Sequence, residues 1–169
     1  WNTAGLNGIY TIKVSALDQV GNTTQETTRL TVDNIVIPAN AIISSPASGE
    51  VLSGVAAISG IAIDENFKEY KLEYASSANP TNWTMIGTVQ NTAVSNGILG
   101  NWDTTGVTDG AYMLRLTVKD LAGNTSVYPP ALSLSNGLSL SVDNSAPVAA
   151  LTSPANGSVV GGTVTLAGT

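Results

Sequence analysis

The side chains here that could do chemistry are carboxylates and carboxamides, because the chain of 169 residues has neither His nor Cys. The missing His removes the commonest general base and transition-metal ligand. The missing Cys removes thiolate chemistry and disulfides. What remains is a set of Asp and Asn residues at repeated positions. Asp18 and Asn22 recur as Asp120 and Asn124, and Asp33-Asn34 recurs as Asp143-Asn144. Their hard oxygens are the type that Ca²⁺ selects. Asp18, Asp33 and Asn34 are expected to form one calcium site, and Asp120, Asp143 and Asn144 another, each at a domain boundary. The competing reading is turn chemistry, since Asp and Asn close tight turns through their own backbone. No other cofactor is implied.

A second group of acids, Asp64, Glu65, Glu69 and Glu73, surrounds one turn and strand. Glu69 and Glu73 are an even number apart, so on a strand they share a face. A glycosidase needs two carboxyls facing each other across a substrate. A shared sandwich face is instead expected to be solvated. No nucleophile elbow, phosphate loop or zinc motif occurs, so the expectation is a protein that is not an enzyme. Trp83 and Trp102 could form a platform for sugar rings. Trp1 and Trp102 hold the same motif position, which favours packing: Trp102 in the core and Trp83 over a sheet edge. Asn22, Asn82, Asn124 and Asn156 each begin a glycosylation sequon.

The elements that must position these residues come from a duplication. Residues 1–22, WNTAGLNGIYTIKVSALDQVGN, match 102–124, WDTTGVTDGAYMLRLTVKDLAGN. Self-similarity about 100 residues apart means tandem domains. Tyr10 to Ala16 alternates apolar and polar, as does Tyr70 to Tyr74, the mark of half-buried strands, and Tyr112 to Val118 reads as a further strand. Asn7-Gly8 and Asp109-Gly110 read as hairpin turns, the latter joining the Trp102 strand to the Tyr112 strand. Further strands are expected at 28–32, 42–46, 55–63, 83–89, 99–105 and 132–142, with Leu134, Leu138, Leu140 and Val142 inward. About seven short strands per repeat, with turns between them, predict an all-β fold: an antiparallel immunoglobulin-like β-sandwich, in tandem. The domains are expected at 1–36, the C-terminal half of one repeat; 37–145, a complete repeat; and 146–169, the first strands of a further repeat. A connector containing Pro38 separates the first two. Because it opens inside a repeat, the chain reads as a piece of a longer polypeptide.

Charged residues make up only 11% of the chain, and the net charge is −6. That balance argues against binding nucleic acid or an anionic membrane surface. No run approaches the ~18 apolar residues of a membrane span.

The stretch WDTTGVTDGAYMLRLTVKDLAGN, with YKLEYASSANPTNWTMIG before it and VDNSAPVAALTSPANG after it, resembles the tandem immunoglobulin-like, fibronectin-III-like repeats of large bacterial secreted and cell-surface proteins. The resemblance covers essentially the whole chain. It implies a β-sandwich outside the cytoplasm, at the cell surface or secreted. Its partners would be neighbouring repeats of the same polypeptide, with self-association or a surface ligand as further options. The role implied is a structural one, as spacer, stalk, adhesin or filament segment. The alternatives are a carbohydrate- or protein-binding module and an accessory domain of a secreted hydrolase. The VDNSAP stretch is faintly similar to cadherin calcium linkers, though it has fewer acids.

Overall fold

The computed structural model describes residues 1–34, 41–130 and 137–169. Pro38 and Leu134 lie outside these. The first hairpin is β1 (Gly8–Leu17) and β2 (Thr23–Val32), paired antiparallel from Gly8↔Val32 to Leu17↔Thr23. The central repeat follows, with β3 (Ala41–Ser45), β4 (Val51–Leu52), β5 (Val55–Ala62), β6 (Phe67–Ser76), β7 (Thr84–Gln90), β8 (Val94–Asp103), β9 (Gly110–Asp120), β10 (Thr125–Tyr128) and β11 (Leu138–Val142). Two short strands end the chain, β12 (Leu151–Ser153) and β13 (Ala167–Gly168). Among the described residues there is no α-helix.

The central strands form two sheets. One has the order β3-β5-β8, the other β4-β11-β9-β6-β7, with β10 also on β9. Alternation puts one side of each strand between the sheets. Ile43 and Ile58 from the first sheet meet Leu72, Leu114, Leu116 and Leu140 from the second. Ile58, Leu114 and Leu116 have no exposed surface. The fold class expected from the sequence, an antiparallel β-sandwich, is the one seen.

Trp102 is 3% exposed, as its repeated position suggested. Its ring stacks on Tyr74 at 4.7 Å and meets Tyr112 edge-on at 5.7 Å. The Tyr112 hydroxyl donates to the Thr108 carbonyl oxygen at 2.8 Å, tying the start of β9 to the turn before it. Close backbone approach sets Gly60, whose Cβ position is taken by the Ile42 carbonyl oxygen. The parallel pair β4–β11 is held by three backbone bonds: Gly49 N–H to Ser139 O at 2.8 Å, Ser141 N–H to Glu50 O at 2.9 Å and Asp143 N–H to Leu52 O at 2.9 Å.

One expectation needs correction. The Trp102 and Tyr112 strands do not form a hairpin. β8 pairs with β5 while β9 pairs with β6, so the connection crosses from one sheet to the other. A 3₁₀ turn at Thr104–Gly106, capped by the Asp103 carboxylate, makes that crossing. The hairpin turns lie instead at Asp18–Asn22 and Asp120–Asn124. Of the strand expected over 132–142, residues 138–142 form β11, while 132–136 lie outside the described residues. Leu116 faces Tyr128 whereas Leu114 faces Leu138, so two steps along β9 advance ten along its partner. β10 and β11 thus share one edge of β9, and the chain takes eight residues more along that edge than the unbroken β2 does.

Candidate functional site

The sequence Asp-x-x-Gly-Asn builds the same turn twice. The Asn22 N–H donates to Asp18 Oδ1 at 2.9 Å and its carboxamide to Asp18 Oδ2 at 2.7 Å. The Asn124 N–H donates to Asp120 Oδ1 at 2.8 Å and its carboxamide to Asp120 Oδ2 at 2.7 Å. Backbone bonds from the Asp N–H to the Asn carbonyl, 3.0 and 3.1 Å, close both turns. Gly21 and Gly123 supply the positive φ, 94° and 96°. The Asn22 carboxamide, first among its hydrogen-bond donors, holds the exposed Asp18 carboxyl below its ordinary pKa.

The exits of the two repeats are equally alike. The Asn34 N–H donates to Asn7 Oδ1 at 2.7 Å, and the Asn144 N–H donates to Asp109 Oδ1 at 2.7 Å. The Asn34 carboxamide donates to the Thr3 and Leu6 carbonyls, and that of Asn144 to the Thr104 carbonyl at 2.9 Å. Asn144 Oδ1 also accepts from the Gly54 N–H at 2.9 Å. These two asparagines therefore tie the last strand to the crossing turn of their own repeat. Asn144 Oδ1 accepts from the Thr104 hydroxyl as well, at 3.2 Å.

The preceding aspartate does something else. Asp33 leaves the first repeat and contacts the second. Its Oδ2 accepts from the Asn66 carboxamide at 2.7 Å, and its backbone carbonyl accepts from the Asn124 carboxamide at 2.9 Å. Asn124 Nδ2 thus holds its own turn and the neighbouring repeat at once. Carboxylate oxygens of Asp33, Asp64 and Asp120 lie within 4.8 Å of one another, with Asp120 buried and the other two half-buried. At about 4 Å, unscreened carboxylates repel by roughly 1 kcal/mol per pair or more. Hydrogen bonds from Asn66 and Asn124 offset part of that. Three anionic oxygens at this spacing also suit a hard divalent cation.

The structure groups the acids differently from the expectation. Asp33 and Asp120 come together, but Asp18 and Asp143 do not join them. β11 runs antiparallel to β9, so Asp143 lies beside Gly110 at the start of β9 while Asp120 lies at its far end. Ten residues of strand put about 33 Å between them. Asp18 sits at the opposite end of β1 from the Asn34 exit for the same reason. Asp64 and Asn66 were missing from the expected site. The Asp64-Glu65-Asn66 triplet carries a usable signal, an Asx turn in which the Asn66 N–H donates to Asp64 Oδ1 at 2.9 Å.

Glu73 also departs from its expected solvated face. It is 7% exposed, and takes Arg115 in a forked pair at 2.7 and 3.0 Å and Lys71 at 2.9 Å. Trp83 lies half-buried over the Arg115 guanidinium, 4.1 Å from its ring centroid. With Trp102 enclosed and Trp83 covering an ion pair, these two do not form an exposed platform.

The described residues thus form one two-sheet β-sandwich, with the β1–β2 hairpin joined to it through Asp33. No protein-family model matches it, and no curated protein matches it. Among solved structures it is similar to one titled as a tetra-tandem repeat in the extending region of a large adhesion protein. The match has 18% identity and a TM-score of 0.44, over 88% of this chain and 34% of that one. This chain therefore spans about a third of the length of that one.

Proposed function

We propose that this chain is a non-catalytic structural segment, an extracellular spacer or stalk of a large surface protein, built from β-sandwich repeats that are locked end to end. The observation that supports it most is the double grip on Asp33 by Asn66 and Asn124. A connector gripped at both its carboxylate and its carbonyl resists bending, which suits a part whose task is reach. In this reading Ca²⁺ binds at Asp33, Asp64 and Asp120 and stiffens the joint by relieving carboxylate repulsion. Small-angle scattering tests the spacer role. The expected profile is an elongated particle, and Asn66→Ala with Asn124→Ala should give a more bent, broader distribution. A wild-type profile already matching freely jointed repeats would defeat the spacer reading.

A further inference from the structure

We infer that the central repeat carries a binding site for one neutral sugar ring, in a cleft of about 220 Å³ where the 77–82 loop meets the end of the crossing turn. Tyr74 and Tyr112 contribute their rings to it. Asn79, Asn82 and Thr84 come from the loop and the start of β7, and Thr108 from beyond the crossing turn. The volume holds about seven waters at ~30 Å³ each, the space of one pyranose ring rather than of a chain. None of the lining residues is charged, although the net charge of the chain is −6.

The cleft is built before any ligand arrives. The Asn79 N–H donates to the Ser76 carbonyl at 2.9 Å, and the Asn82 N–H to the Asn79 carbonyl at 3.2 Å. The Ser77 N–H donates to the Ala111 carbonyl at 2.9 Å, which pins the loop to β9. Thr108 is held by the Tyr112 hydroxyl, and the Tyr74 ring by its stack on Trp102. Little therefore has to be ordered on binding, which lowers the cost of a small contact.

What the cleft leaves open is hydrogen-bonding capacity. Among the described residues the Tyr74 hydroxyl and the Asn82 carboxamide have no hydrogen-bond partner, and neither is a buried orphan, so both face water. Asn79 uses Oδ1 for the Thr81 hydroxyl at 3.2 Å and keeps its amide hydrogens. Carboxamides and hydroxyls both donate and accept, as the neighbouring hydroxyls of a sugar do. A charged ligand would find no counter-charge here. A purely apolar one would strip water from these groups and leave their bonds unmade. A neutral polyol ring satisfies the polar groups and lays its C–H surface against the two tyrosine rings.

Nuclear magnetic resonance titration of the full chain with the methyl glycosides of glucose, galactose, mannose and N-acetylglucosamine tests this. At least one should shift the Asn79 and Asn82 carboxamide resonances saturably. N-acetylneuraminic acid, which is charged, should not. Tyr74→Phe combined with Asn82→Ala should weaken binding about tenfold, as the loss of two hydrogen bonds requires. Asn101→Ala, exposed on the other sheet, should leave it unchanged. Tyr74→Phe keeps the ring and Asn82 is exposed, so the Trp102 near-ultraviolet signal should match wild type in every variant. If none of the neutral glycosides gives a saturable shift, the proposal is overturned. Undiminished binding by the double variant, or equal binding of the charged sugar, overturns it too. Each of these results leaves the scattering test of the spacer untouched.

Discussion

The β1–β2 hairpin and its counterpart, β9 with β10 and β11, share the turn and the exit asparagine, yet they differ in what covers them. Val14 is 66% exposed while Leu116, at the same position, is fully buried. Among the described residues the Tyr10 ring has one aromatic neighbour, Trp1, edge-on at 5.6 Å, whereas Tyr112 meets Tyr74 and Trp102. The turn is set by local residues, since Asp18–Asn22 and Asp120–Asn124 make the same bonds. Burial is set by the strands that close over them, here β5, β6 and β8.

The comparison is broken most forcefully at the covered position. Leu116→Ala should cost about 2–5 kcal/mol, because a filled core site leaves a cavity. Val14→Ala should cost under about 0.5 kcal/mol, as expected of a surface site. Denaturant unfolding of both variants checks this, and equal losses would contradict the assignment of the core to the central repeat.

Next comes the joint. Ca²⁺ at 100 times its dissociation constant should raise stability by about 2.7 kcal/mol, by mass action on the folded state. Asp120→Asn should abolish the rise, and Asp18→Asn should leave it, because only Asp120 has Asp33 and Asp64 beside it. Identical melting curves in calcium and in chelator would leave these acids as turn residues.

A smaller effect lies at the crossing turn. Gly110 has φ +150° with open space around it, so backbone conformation rather than crowding decides there. Gly110→Val should lower stability by about 1–3 kcal/mol. Gly8→Val, at φ +108° in the uncovered copy, should leave the main melting transition unchanged. Unchanged melting of Gly110→Val would refute the turn's importance.

The smallest effect is a titration. Ser145 Oγ, and then the Asn144 N–H, hold the Asp109 carboxyl below its ordinary pKa. A depressed carboxyl contributes stability above its unfolded pKa and loses it as pH falls through the folded one. The loosening should therefore fall below about pH 4. Asn7 occupies this position in the first repeat and does not titrate. The Asn144 amide resonance should shift in that range, and that of Asn34 should stay. Parallel shifts would remove Asp109 as the cause.

Much of the fold was legible because its signals are local. The alternation of Tyr70, Leu72 and Tyr74 marks β6, and the doubled Trp motif marks a core position. Sheet assignment was not legible, since Asp109-Gly110 offers the same turn chemistry whether the chain folds back or crosses over. The eight-residue difference between β2 and β10–β11 was in plain view, as Asp18 precedes Asp33 by 15 residues and Asp120 precedes Asp143 by 23. The joint was half legible. Asp33 and Asp120 could be named from repetition, but their pairing depends on which end of β9 each occupies, and that is a matter of strand direction.

The parallel β4–β11 pair has a mechanical consequence. The chain enters the central repeat at the Asp120 end and leaves it at the Asp143 end, so a pull along the array drags β4 and β11 in opposite directions. Their three backbone bonds, from Gly49, Ser141 and Asp143, lie across that pull. They are loaded in shear and share the force, so they must give way together, unlike a hairpin peeled open one bond at a time.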